Sequence, residues 1–157
     1  MGIEIERKFL VKSADFKNSA RKSYRITQGF LNKDPRRTVR VRLLDVSGKL
    51  TVKGMGSEDG LTRFEWETEL SFEEAKSLLE LCEDGIIDKT RYVIPNGTLF
   101  FEVDEFYGDN EGLIISEIEL PETETAFEKP HWLGDEVTGD VRYYNSYLSD
   151  HPFNSWT

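Results

Sequence analysis

Glu4 and Glu6 stand two residues apart near the start of the chain, and Glu117 and Glu119 repeat that spacing near its far end. On an extended strand, residues i and i+2 share a face and lie about 7 Å apart. Two carboxylates so placed can share one hard divalent cation, and Mg²⁺ favours a few carboxylates together with water and phosphate oxygens. Cations recur with the same spacing as Arg40 with Arg42 and Lys89 with Arg91, while Lys8 and Lys53 fall in the matching phase of their own segments. Arg and Lys in pairs clamp phosphates, Arg through a bidentate fork and Lys as a point charge. Two Glu-x-Glu pairs beside several cations read as metal-dependent phosphoryl chemistry. Glu-x-Glu alone is a weak signal, because it is frequent in any acidic chain.

Such spacing carries meaning only on strands. Apolar and charged residues alternate with period two over 3–11, and strand patterns follow over 24–31, 38–44, 49–53, 61–70, 86–94, 98–106 and 113–120. Residues 32–35 have turn chemistry, 46–48 join a hairpin, and Asn96-Gly97 is a strong two-residue hairpin turn. Residues 54–60 read as a flexible, glycine-containing loop. Ser71 with Glu74 three residues later forms a capping box. It predicts a helix to Cys82 or Glu83 with Phe72, Ala75, Leu78, Leu79 and Cys82 on its apolar face. One helical turn fits within 13–18, short helices fit 122–127 and 145–150, and 151–157 reads as a tail. About eight hairpin-connected strands with a few helices, mainly β within an α+β chain, predict an antiparallel barrel or sandwich. No internal linker interrupts a single domain over 1–157.

One phase of nearly every strand is charged. The fifth offers Arg63, Glu65 and Glu67, and the seventh offers Glu102 and Asp104. A wet outer face with cross-strand pairs is the ordinary explanation for any one strand. Neutral polar residues are scarce in this phase, which favours the alternative, a charged lumen with the apolar face turned outward. A lumen needs both signs, carboxylates for metal ions and cations for a polyanion.

The chain carries 30 acidic and 20 basic residues, a net charge of -10, which argues against nucleic-acid binding and anionic membrane surfaces. Ten Phe, six Tyr and three Trp are ample core material, so the chain is not disordered. A lone cysteine, Cys82, excludes an internal disulfide and a Cys-rich zinc site. Two histidines, His131 and His151, leave no paired-His metal motif. No apolar run approaches the roughly 20 residues of a membrane span, and none forms a signal-peptide core, so a cytoplasmic protein is expected. Cys82 reads as a small buried hydrophobe and His131 as solvated or capping. Phe30, Trp66, Phe100 and Phe106 read as packing residues.

In order along the chain, Glu4-Ile5-Glu6-Arg7-Lys8, Thr38-Val39-Arg40-Val41-Arg42, Thr51-Val52-Lys53, Glu65-Trp66-Glu67, Lys89-Thr90-Arg91-Tyr92, Glu102-Val103-Asp104 and Glu117-Ile118-Glu119 resemble the CYTH superfamily, the triphosphate tunnel metalloenzymes. The stretch 136–140 with Tyr143 and Asn145 resembles its short bacterial members. The resemblance implies an eight-stranded antiparallel β-barrel tunnel with a charged lumen and a few flanking helices. It implies a divalent-metal-dependent triphosphatase that cleaves tripolyphosphate to pyrophosphate and phosphate. Lys8, Arg40, Arg42, Lys53, Lys89 and Arg91 would bind phosphates. Glu4, Glu6, Glu117 and Glu119 would hold Mg²⁺ or Mn²⁺, two ions in all. One ion would orient the substrate and a second would polarise the attacking water. Lys8, Glu117 and Glu119 would be catalytic, one of the two glutamates taking the water's proton. Arg63, Glu65, Glu67, Glu102 and Asp104 would line the tunnel. Tyr143 and Asn145 would cap the last helix or help close one tunnel mouth. The family also implies alternatives, namely a nucleoside or thiamine triphosphatase, an adenylyl cyclase, or a non-catalytic polyphosphate-binding module. The expected partner is a small polyanion, without nucleic acid or membrane, and a homodimer is compatible with such a chain.

Overall fold

Alternation that runs through strand after strand needs a sheet with two distinct faces, and here the sheet closes on itself. The structure, a computed structural model, describes residues 2–156. Met1 and Thr157, the ends of the expected domain, lie outside them. In chain order the elements are β1 (Gly2–Val11), β2 (Lys22–Asn32), β3 (Arg37–Leu43), β4 (Ser47–Gly54), β5 (Thr62–Ser71) and α1 (Phe72–Glu80). Then come β6 (Ile87–Asn96), β7 (Leu99–Phe106), β8 (Ile114–Glu119), β9 (Leu133–Glu136) and α2 (Asn145–Asp150). Pairing runs β1–β8–β7–β6–β2–β3–β4–β5 and returns to β1, all antiparallel, so eight strands form a ring.

The capping box is present: Ser71 Oγ accepts from the Glu74 amide and Glu74 accepts from the Ser71 amide. The helix stops at Glu80, short of the expected Cys82, and Cys82 is half-buried with its thiol directed at the Leu78 carbonyl. The β6–β7 hairpin turns one residue later than Asn96-Gly97 suggests. Asn96 pairs with Leu99, and Gly97 takes the first turn position with φ of +62°, where glycine is favoured. Residues 122–127 form turns and irregular backbone instead of the expected helix. The four-residue β9 gave no periodic signal and was not anticipated. It adds outside the ring against the end of β1.

The apolar strand phase faces outward, as the lumen reading requires. Phe9, Phe101, Val103 and Ile118 lie under Phe16, Trp132 and Leu133 on one side. Fully burying such side chains contributes about 1.5–3 kcal/mol each. On the other side α1 covers β3 to β5, with Ala75 seated on Gly48, where no Cβ would fit. Phe30 and Phe106 are buried as expected, but Trp66 and Phe100 stay 39% and 42% exposed. Trp66 pairs across from Val52, away from the Gly48 end of the sheet where the nine-residue α1 sits. His131 is exposed and bonds Asp15 at 2.9 Å.

The inward phase changes character along the ring. Leu10, Phe30, Ile87, Phe106 and Ile115 share the phase of Lys8, Gln28, Lys89, Asp104 and Glu117, yet they build an apolar stopper with Tyr143 and Leu148. Phe153 and Trp156 of the C-terminal segment pack against it, so the expected tail is structured, with a short 3-10 turn at Phe153–Ser155.

Direct β1–β5 pairing ends at Ile5 and Thr62. From there the Glu6 amide donates to Leu61, and the Val137 amide donates to Lys8. The two loops that take over cross at Gly60 and Gly139, with φ of +77° and +80°. A Cβ on Gly139 would stand 2.9 Å from the Asp59 carbonyl oxygen. Gly139→Ala should therefore destabilise by about 1–3 kcal/mol for the left-handed backbone alone. A thermal melt reads this directly, and an unchanged Tm would contradict the crossing.

Candidate active site

The charged part of the lumen is a cavity of about 330 Å³. Strands β1, β3, β4, β5 and β6 supply its cations, because every second residue of each faces inward. Arg40, Arg42, Arg91 and Lys8 are buried, and all four border the cavity with Lys53. Arg91 is gripped by Asp104 through two bonds, of 2.8 and 2.9 Å, and reaches Glu102 at 3.4 Å. Lys53 pairs with Glu4 at 3.0 Å, and Lys8 lies 3.5 Å from Glu117. Lys8 also donates to the Tyr143 carbonyl at 3.1 Å and sits over the Tyr144 ring.

Arg40 is different. Among the described residues its single side-chain hydrogen bond is a long one of 3.4 Å to Thr51, and its buried Nε has no hydrogen-bond partner. Burial, then the charges of Arg42 and Arg91, pull it down to about 9. Burial and Arg91 also pull Arg42 below its ordinary value. Arg40, Arg42 and Arg91 thus lie close enough to repel one another, an arrangement that suits a polyanion.

Carboxylates crowd β1, β7 and β8. Glu6 stands directly across from Glu119, and Glu117 across from both Lys8 and Glu102. Burial and a hydrogen bond with Glu4 push Glu6 up, against the pull of Lys53 and Lys8. Partial burial, then Glu6 and Glu102, push Glu119 up. Among the described residues no three carboxylate, imidazole or thiol side chains are gathered closely enough to hold an ion as they stand. The donor set still fits a hard divalent cation: all-oxygen ligands, mutually repelling, beside a basic wall that would receive phosphate oxygens.

Arg63, Glu65, Glu67 and Glu102 border the cavity. Burial raises Glu67, but the Thr51 hydroxyl at 2.8 Å and Lys49 outweigh it and leave Glu67 low. Lys89 and Asp104 lie deeper, behind the cavity lining. Neither borders the cavity. Lys89 has no exposed surface and lies 2.7 Å from Asp104, so the pair backs the wall that Arg91 presents. Tyr144, Thr138 and Gly139 also border the cavity. They come from irregular backbone, where no period marks an inward phase. Gln28 was legible in principle, because it shares the inward phase of β2.

A family model for the CYTH domain matches residues 2–144. The chain belongs to the CYTH family. Two CYTH relatives are informative. An inorganic triphosphatase of Acetivibrio thermocellus is 46% identical over 157 residues, covering 99% of each chain. An inorganic triphosphatase of Nitrosomonas europaea is 36% identical over 150 residues, covering 93% of this chain and 96% of its own. Among solved structures, the crystal structure of the inorganic triphosphatase NE1496 superposes with a TM-score of 0.66 at 30% identity, covering 95% of each chain. A Pyrococcus furiosus protein at 21% identity shares the fold, with a TM-score of 0.62 over 77% of this CYTH chain and 80% of its own.

Proposed function

We propose that this protein is an inorganic triphosphatase that cleaves tripolyphosphate to pyrophosphate and phosphate. The observation that carries the reading is the lumen itself, in which buried cations and carboxylates line one cavity. Its volume, about 330 Å³, is at the small end of ligand cavities. That favours a compact inorganic substrate over a nucleotide, and it agrees with the names of the two curated relatives.

Lys8, Arg40, Arg42, Lys53 and Arg91 bind the phosphate oxygens and stabilise charge as the anhydride breaks. Lys89 supports Arg91 from behind through Asp104. Glu4, Glu6, Glu117 and Glu119 would hold Mg²⁺ or Mn²⁺, two ions in all. When bound, such ions neutralise phosphate charge and make a coordinated water more acidic. Glu117 or Glu119 accepts the proton of the attacking water. The water oxygen bonds to the terminal phosphorus, and pyrophosphate leaves with the electron pair of the broken P–O bond.

The test is phosphate release from tripolyphosphate, ATP and thiamine triphosphate, with Mg²⁺ and Mn²⁺ in parallel and with a chelator. Turnover of tripolyphosphate that needs a divalent ion is expected, with much slower turnover of the organic triphosphates. Comparable hydrolysis of ATP, formation of cyclic AMP, or binding of tripolyphosphate without turnover would overturn the reading. Among the described residues no helix is long and apolar enough to cross a membrane.

A further inference from the structure

Two neutral amides lie among the cations of the site, Gln28 buried and Asn145 half-buried, and the proposed chemistry uses neither. Gln28 has no exposed surface and sits in the inward phase of β2. Its Oε1 accepts from Nε of Arg42 at 2.9 Å, and its Nε2 donates to Oδ1 of Asn145 at 3.1 Å. That same Asn145 oxygen accepts from Nζ of Lys89 at 3.1 Å. Lys89 is bound to Asp104, and Asp104 holds Arg91 through two bonds. An unbroken chain therefore runs Arg42–Gln28–Asn145–Lys89–Asp104–Arg91.

The donors and acceptors in this chain admit one arrangement. Arg42 and Lys89 can only donate. Gln28 must show its oxygen to Arg42, which leaves its nitrogen for Asn145. Asn145 must then show its oxygen to both Gln28 and Lys89. Flipping either amide would leave a buried donor facing a donor, which is costly in a water-poor interior. Asn145 is the first residue of α2, the short helix whose Leu148 belongs to the apolar stopper. The helix thus reaches two guanidiniums on different strands through one side chain.

We propose that Asn145 is a positioning residue that, through Gln28 and Lys89, aims Arg42 and Arg91 at the substrate, so that docking of α2 and the geometry of the phosphate site are coupled. The kinetic part rests on the triphosphatase reading. Arg42 has Gln28 as its only side-chain hydrogen-bond partner among the described residues, so loss of the amide chain frees it to swing. Arg91 keeps its Asp104 fork, but the partner that fixes Lys89 against that carboxylate is gone.

Asn145→Ala should raise KM for tripolyphosphate by about tenfold, the effect of one hydrogen bond to a charged group, with kcat changing less. Gln28→Met, which keeps the volume and removes both bonds, should do the same and guards against misfolding of the first variant. In an Arg42→Lys background the effect of Asn145→Ala should shrink, because lysine has no Nε–H for Gln28 to hold. Phe127→Ala, which loosens the other apolar cluster, away from α2, should lower Tm without this KM pattern.

A substrate-free measurement separates this proposal from the reading beneath it. In spectra of arginine Nε–H groups, Asn145→Ala and Gln28→Met should shift or broaden Arg42 and Arg91. Arg7, paired with Glu136 outside the lumen, should stay put. Unmoved Arg42 and Arg91 signals, or effects of Asn145→Ala and Arg42→Lys that simply multiply, would overturn the coupling. A wild-type protein that leaves tripolyphosphate intact would overturn the triphosphatase reading and leave the spectra to decide the coupling.

Discussion

Arg40→Met should abolish most phosphate release from tripolyphosphate while leaving the protein as stable as before or more so. The expected loss is about 10²- to 10³-fold in rate, the usual cost of removing one preorganised donor from a site where charge develops. The stability side follows from how poorly the fold satisfies this residue. Arg40 is buried, and among the described residues its Nε is unpartnered and its one long bond goes to Thr51. Burial and the charges of Arg42 and Arg91 draw it down to about 9. A base with a lowered folded value destabilises the folded state at every pH below that value, including neutral pH. Methionine keeps much of the volume and relieves that cost. Each kcal/mol relieved should raise Tm by about 2–4 °C in a chain of this size. Phosphate assays with thermal melts check both halves. Full activity would remove Arg40 from the site, and a large drop in Tm would make it a structural residue.

Asp104→Asn should act the other way, mainly on stability. Burial alone would raise Asp104, but Arg91 and Lys89 outweigh it and hold the carboxylate well below its ordinary range. The amide leaves Lys89 and Arg91 buried side by side without their counter-charge. Breaking such a pair costs about 3–5 kcal/mol, or a Tm lower by roughly 6–20 °C. The pH dependence has a definite sign. A carboxylate depressed by folding gives its full stabilisation above its unfolded pKa, near about 3.9, and loses it as pH falls through the folded value. Wild type should therefore lose stability below about pH 4 more steeply than Asp104→Asn. Melts at neutral pH and across the acid range decide the point, and superimposable acid profiles would count against it.

Much of this was legible from spacing. Period two placed Lys8, Arg40, Arg42, Lys53 and Arg91 on one face, and closure of the sheet turned that face inward. The α1 capping box was readable because it is a local bond between neighbours. Depth was not readable. Alternation says which way Lys89 and Asp104 point, but not that Phe106 and Ile87 crowd the same end of the lumen. The irregular segment after Pro121 hid β9, Thr138 and Tyr144, because contacts to β1 and the lumen, rather than local periodicity, fix that backbone.

The first strand has the most neighbours. β1 pairs with β8 along one edge and with β5 and then β9 along the other. Its Lys8 side chain rests on the carbonyl of Tyr143. During synthesis, a strand made first must wait for residues more than a hundred positions later before either edge is fully paired. Pairings of such sequence separation close slowly, and an unpaired edge invites association with other chains in the interval. The alternating charges of Glu4, Glu6 and Lys8 make that waiting edge a poor template for a neighbour. The residues that serve the lumen of the finished protein thus also protect the chain before it is folded.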